Sequence, residues 1–172
     1  VRALRKRLAV ATTRIKRLEQ AQQADQALRE SEERYRRLFE DDLTGDYLAT
    51  VDGQIRDCNP AFVAILGFQS RKEALRTNLR ALHAEEADYA AFIGALRERG
   101  KLEHYECVRQ RRDGVRIHAV ENAVVVADSR GEIDHIRGYL FDNTAAKKAE
   151  HALRDAEARY RGLIEFLPDA VS

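Results

Sequence analysis

A fourteen-residue stretch recurs in this chain as an imperfect copy. Residues 27–40 read ALRESEERYRRLFE, and residues 152–165, 125 positions later, read ALRDAEARYRGLIE, with nine positions identical. Copies separated by about one domain length point to a tandem array in which the same helix introduces each unit. The chain therefore divides into a leading coiled-coil helix at 1–34, a domain at 35–144, and a linker helix at 145–172 that runs into a truncated start of a following unit. Both copies carry apolar residues at coiled-coil spacing: Leu28, Ser31, Tyr35 and Leu38 in the first, and Leu153, Ala156, Tyr160 and Leu163 in the second. Leu4, Leu8, Ala11, Ile15 and Leu18 repeat the spacing nearer the start. The two N-terminal stripes differ in phase by one position, and the slip falls in the run QAQQADQ at 20–26, where a local change of winding is expected. A stripe of period ~3.5 buries one seam against a partner helix. A second copy of the chain is the expected partner, as a parallel homodimer with Leu4, Leu8, Ile15, Leu18, Leu28, Tyr35, Leu153 and Tyr160 along the seam. Packing of the helices on their own domain is the alternative.

Charge narrows the partners further. Thirty basic and 29 acidic side chains leave a net charge of +1, which argues against a nucleic-acid partner held by a basic face. The basic excess near the start, Arg2, Arg5, Lys6, Arg7, Arg14, Lys16 and Arg17, reads as a solvated helix face, with a membrane-proximal segment as the minority alternative. Charged residues make up 34% of the chain, which fits long exposed helices, and the 44% hydrophobic share supports a core. Two cysteines, Cys58 and Cys107, form no disulfide framework, so a reducing cytoplasm is the expected location. No apolar run reaches the ~20 residues of a membrane span. A start at Val1 and the lack of methionine read as a fragment, whose parent can still carry a membrane anchor.

The middle of the chain alternates between strand and helix signals. Strands are expected at 45–51 and 54–58 around the Asp52-Gly53 turn. Asn59-Pro60 supplies an N-cap followed by proline at the first helical position, and Phe62, Ile65 and Leu66 form that helix's apolar face. A longer helix is expected over 85–99, with Tyr89, Phe92, Ile93 and Leu96 on one side and Gly100 ending it. Three strands follow at 102–112, 115–127 and 132–141, punctuated by Asp113-Gly114 and by residues 129–131.

This order, together with CNPAFVAILGF at 58–68, RRDG at 111–114 and GYLFDNT at 138–144, resembles a PAS domain over residues 35–144. The resemblance implies an α+β fold: a five-stranded antiparallel sheet with helices on one face, here flanked by long N- and C-terminal helices. It implies sensing and relay in a multi-PAS sensor histidine kinase or a cyclic-dinucleotide signalling protein, with adjacent PAS and output domains as partners. The Asp-x-Thr ending implies that Asp142 and Thr144 relay the signal, with Thr144 placed to cap the exit helix. The run NLRALH at 78–83 is similar to a flavin-binding motif, but Leu79 stands where the reactive cysteine belongs and Leu140 where the flavin-contacting glutamine belongs. Haem-binding relatives place a histidine on the long helix, and here His83 falls just before it. No cofactor is therefore expected, and an unidentified small-molecule ligand is left open.

Catalytic signals are lacking. The histidines at 83, 104, 118, 135 and 151 have no metal-ligand spacing, and His151 in AEHALRD lacks the surroundings of a phosphoacceptor. No phosphate-binding loop or nucleophile motif is present, so the fragment is not expected to be an enzyme. Period-two alternation from the Asp113-Gly114 turn puts Tyr105, Cys107 and Arg109 on one inward face and Ala119, Glu121 and Ala123 on the next. With Phe92, Ile93 and Leu140 these are the candidate ligand-pocket residues. Arg109 and Glu121 would face inward as diagonal neighbours, either as a structural ion pair or as the polar floor of a ligand site. Val120 and Val124 would point outward, as an apolar platform for the leading helix at Leu38 and Phe39.

Overall fold

In a computed structural model of the chain, residues 2–165 are described, with side chains described from residue 14 to 162. Two compact units result, one ending at Asp41 and the other beginning at Asp42. The first is a single helix, α1 (Arg2–Glu40). It continues past the boundary expected at residue 34, because nothing breaks the helical pattern before the Asp41–Gly45 stretch. The phase slip at 20–26 falls inside this helix without interrupting it.

The second unit contains β1 (Gly45–Ala49), β2 (Ile55–Cys58), α2 (Pro60–Ile65), α3 (Arg71–Leu75), a 3₁₀ turn (Leu79–Leu82), α4 (Glu86–Arg99), β3 (Lys101–Gln110), β4 (Arg116–Ala127), β5 (Ile133–Asp142) and α5 (Thr144–Glu165). The strands form one antiparallel sheet in the order β2-β1-β5-β4-β3. The helices and the 3₁₀ turn supply Phe62, Leu66, Leu79, Leu82, Phe92 and Leu96 to a core that also takes Tyr47, Ile55, Ile117, Ile136 and Leu140 from the strands.

Local chemistry fixes the joints. Asn59 caps α2, its Oδ1 accepting the Phe62 N–H at 2.9 Å and the Asp46 N–H at 3.0 Å while its amide donates to the Thr44 carbonyl at 2.8 Å. One buried side chain thus ties the helix start to β1. Gly100, at φ +73°, closes α4 in the left-handed conformation that glycine adopts without strain. At the β3–β4 hairpin the Arg111 N–H meets the Val115 carbonyl at 2.8 Å, and the pairing of Gln110 with Arg116 follows.

One strand departs from simple alternation. Leu102 pairs with Ala123 but Tyr105 pairs with Glu121, so two residues of β3 oppose one of β4. His104 takes φ +53° there, and its N–H is captured by the Asn122 side chain at 2.7 Å. This bulge lets both Leu102 and the odd-numbered Arg109 face the core.

Candidate functional site

The inward face of the sheet carries a cluster of polar side chains. Arg109 on β3 is 1% exposed and Glu121 on β4 is fully buried. The Arg109 guanidinium donates to Glu121 Oε2, so the two charges pair inside the domain. They are not diagonal neighbours, as alternation alone suggested. Arg109 lies opposite Ile117 and Glu121 opposite Tyr105, with the Cys107–Ala119 pair between them. The length of the arginine side chain spans that gap, and the small Ala119 leaves it room.

Two further residues, which alternation from the hairpin did not reach, complete the cluster. Tyr47 on β1 donates its hydroxyl to Glu121 Oε1. It pairs with Gly138 of β5, and a side chain at 138 would collide with the Tyr47 ring. The missing side chain is what allows the tyrosine to lean across β5 and reach β4. His83, at the end of the 3₁₀ turn, meets the other arm of the Arg109 guanidinium through Nε2, while its Nδ1 lies 2.9 Å from the Leu79 carbonyl. Its backbone also forms an isolated antiparallel bridge with Arg109.

Aromatic rings enclose these groups. The Arg109 guanidinium lies 5.4 Å from the centre of the Phe92 ring, which also packs against Tyr105 and His83 at 5.7 Å each. Tyr89 meets His83 edge-on at 5.0 Å. Cys107 is half-buried, its sulfur 3.8 Å from Glu121 Oε2. Leu140 pairs with Glu121 across β4 and β5. Ile93 is buried in the core but lines a separate surface groove with Val51, Tyr89 and Arg97. Phe92, Tyr105, Cys107, Arg109, Ala119, Glu121 and Leu140 therefore lie together on the inner side of the sheet, and Ile93 stands apart. Among the described residues, every buried side-chain nitrogen and oxygen has a partner.

The electrostatics follow from burial and from the single carboxylate. Burial disfavours the Arg109 charge, but Glu121 more than compensates, together with Cys107 and Tyr47, and its pKa rises above the ordinary value. Burial pushes the Tyr47 phenol well up, and Glu121 pushes it further. Burial also pushes the Cys107 thiol up to about 12, which removes it as a nucleophile. The His83 ring is held down at about 3, first by burial and then by the Arg109 charge. His83 is therefore neutral, and both its nitrogens are occupied within the domain. Among the described residues, no group of three His, Cys, Asp or Glu side chains is arranged to hold a metal.

The expected relay residues lie at the junction of β5 and α5, with their roles exchanged. Asp142, not Thr144, serves the helix start: its Oδ1 accepts the Thr144 N–H at 2.9 Å. The Thr144 hydroxyl instead accepts the His118 N–H of β4 at 3.0 Å. The reason is geometric, since α5 begins at Thr144 itself, one position earlier than a cap at that residue needs. The Asn143 N–H reaches the His118 carbonyl at 2.8 Å, so sheet pairing runs directly into the helix. Lys147, one turn on, pairs with Glu106 of β3 at 3.0 Å.

The helical stripes stay exposed within the single chain. Ile15, Leu18, Leu28, Tyr35, Leu153 and Tyr160 are between 56% and 72% exposed. Leu4 and Leu8 lie outside the residues with described side chains, as does Leu163, and the segment 166–172 expected to open a following unit lies outside the described residues. Val120 and Val124 are half-buried on the outer face of the sheet.

Residues 46–145 match the model of one family, the PAS domain. The chain belongs to the PAS domain family. Solved PAS domains share its fold. One from Colwellia psychrerythraea is 19% identical with a TM-score of 0.59, covering 66% of this chain and 97% of its own. A domain of a sensory box sensor histidine kinase/response regulator from Geobacter sulfurreducens is 24% identical with a TM-score of 0.55, covering 67% and 96%. The PAS domain of an HTR-like protein from Haloarcula marismortui is 22% identical with a TM-score of 0.57, covering 70% and 98%. No curated protein matches the chain in sequence. PAS domains are sensory and non-catalytic, and no catalytic family is shown for this chain. None of the described helices is long and apolar enough to cross a membrane.

Proposed function

We propose that this PAS domain is a relay module that dimerises through its helices and passes a conformational signal along α5 to an output domain. The observation that carries the reading is the β5–α5 junction. Thr144 is hydrogen-bonded to β4, Asp142 holds the first turn, and Lys147 is paired with β3, while Leu153 and Tyr160 further along are exposed. A change in the sheet therefore acts on the base of a helix whose apolar stripe awaits a partner. The partner is a second copy in parallel orientation, because symmetric output domains need both helices to leave on the same side. The output belongs to a sensor histidine kinase or a cyclic-dinucleotide enzyme, reached through adjacent domains of the parent chain. Multi-angle light scattering at tens of micromolar (an order-of-magnitude working concentration) tests the dimer: twice the chain mass is expected, and a monomer refutes it.

A second reading is favoured by the core. The polar groups of Arg109, Glu121, Tyr47 and His83 satisfy one another, as in a ligand-free PAS domain that serves as a dimerisation spacer. Native mass spectrometry separates the readings: a small molecule retained at one per chain supports a ligand sensor, and the bare chain mass supports the spacer.

A further inference from the structure

We propose that His83 is an acid-released latch: protonation of its ring frees the segment from residue 78 to 85 from the sheet edge and opens the core beside Arg109. The partners of the ring dictate its state. The Leu79 carbonyl only accepts, so Nδ1 carries the proton; the Arg109 guanidinium only donates, so Nε2 offers its lone pair. A proton added at Nε2 turns that acceptor into a donor aimed at a donor and sets an imidazolium against a guanidinium. The surroundings offer no relief. Arg109 meets the ring from β3, and Tyr89 and Phe92 pack against it from α4; beyond Arg109 lies Glu121 of β4, itself in contact with Cys107 of β3 and Tyr47 of β1, beyond Phe92 lies Tyr105 of β3, and on the ring's own segment Arg80 lies over Tyr89. Asp88 of α4 acts on Tyr105 and Cys107 from further out. Glu121 is already held by Arg109, Tyr47 and Cys107.

Release is local because the same residue makes the backbone bridge to Arg109, so ring and backbone leave β3 together. The closed ring, at about 3, resists protonation, whereas an open ring titrates near the ordinary ~6.5. Below that value each pH unit favours the open form about tenfold, so a latch closed about 100-fold at neutral pH is half open near pH ~4.5. This device is independent of the dimer reading, since its contacts lie within one PAS domain.

The test is amide hydrogen exchange on the full chain between pH 7 and pH 4.5, together with ¹⁵N shifts of the His83 ring. Protection factors, corrected for intrinsic exchange, should fall about 25-fold for 78–85 between pH ~6.5 and ~4.5 while β4 and β5 keep theirs. At pH 7 the ring should be the neutral Nδ1–H tautomer. His83→Gln, whose amide can accept and donate without titrating, should abolish the pH dependence. Protection that stays flat in the wild type, protection lost together with β4 and β5, an equal slope in His83→Gln, or an Nε2–H tautomer at pH 7 would each overturn the latch. If His83→Gln fails to fold, the wild-type titration and the tautomer decide alone.

Discussion

Replacing Arg109 by leucine tests the interior charge pair most directly. The substitution leaves Glu121, fully buried, with a phenol and a thiol as its remaining partners, and strips His83 Nε2 of its donor. Breaking a buried pair from one side costs about 3–5 kcal/mol, and the orphaned imidazole nitrogen adds about 1–3 kcal/mol. Glu121→Leu leaves an equally buried guanidinium without an anion and should cost about 3–5 kcal/mol. The double mutant removes both charges and restores apolar contacts with Phe92 and Leu140, so it should recover much of the loss. It will not recover all of it, because Tyr47 and His83 keep unpaired atoms. A coupling energy of about 2 kcal/mol or more is therefore expected. Urea unfolding followed by near-ultraviolet tyrosine ellipticity gives the cycle, since Tyr47 and Tyr89 lie in the core while the exposed helices contribute little to that signal. A domain stable by about 5–15 kcal/mol leaves room for the single mutants, and Glu121→Gln serves as a milder arm if Glu121→Leu unfolds. Single mutants within ~0.5 kcal/mol of wild type, with coupling near zero, would show that burial of this pair has been misjudged.

Tyr47→Phe removes one of the Glu121 donors without changing shape and should lower stability by about 1–3 kcal/mol, read by the same unfolding curve; no change would mean the hydroxyl is not engaged. Thr144→Ala should cost about 1 kcal/mol through the lost bond to His118, and in the proposed parent chain it should lock or abolish output while the domain stays folded; normal regulation in both Thr144→Ala and Asp142→Ala would end the proposed relay role. Leu153→Lys combined with Tyr160→Lys should convert the proposed dimer into monomer by light scattering, because both side chains are exposed in the single chain and contribute nothing to its own core. Protein purified from a cofactor-replete host should show no visible absorbance band co-eluting with it; a flavin or haem band refutes the reading of Leu79, Leu140 and His83.

The fold was legible because its punctuation is local. Asn59-Pro60, Gly100 and Asp113-Gly114 mark element ends through backbone chemistry that needs no tertiary context, and the strand and helix bounds fell within a few residues. Arg109 and Glu121 were legible because alternation from one hairpin assigns a face. Their partners were not. Tyr47 lies on a strand separated from β4 by β5, and His83 ends a 3₁₀ turn without strand or helix period, so only the folded sheet brings them together. Gly138 inside a strand was the available clue to Tyr47, since a glycine there marks a close approach. The exchange of roles between Asp142 and Thr144 was hidden because it depends on where α5 starts, to within one residue.

The close approach at Gly138 has a consequence for how this chain can diversify. The room that a side chain at 138 would take is filled by a tyrosine 91 positions earlier, counting back from Gly138 to Tyr47. The two sites are thus bound as a size pair. Descendants that keep the tyrosine must keep the glycine, and a lineage that acquires alanine or serine at 138 first needs a smaller residue at 47, at the loss of a donor to Glu121. Neutral drift through the glycine is closed unless the tyrosine moves first, and the order of those two steps is set by sterics rather than by selection on signalling.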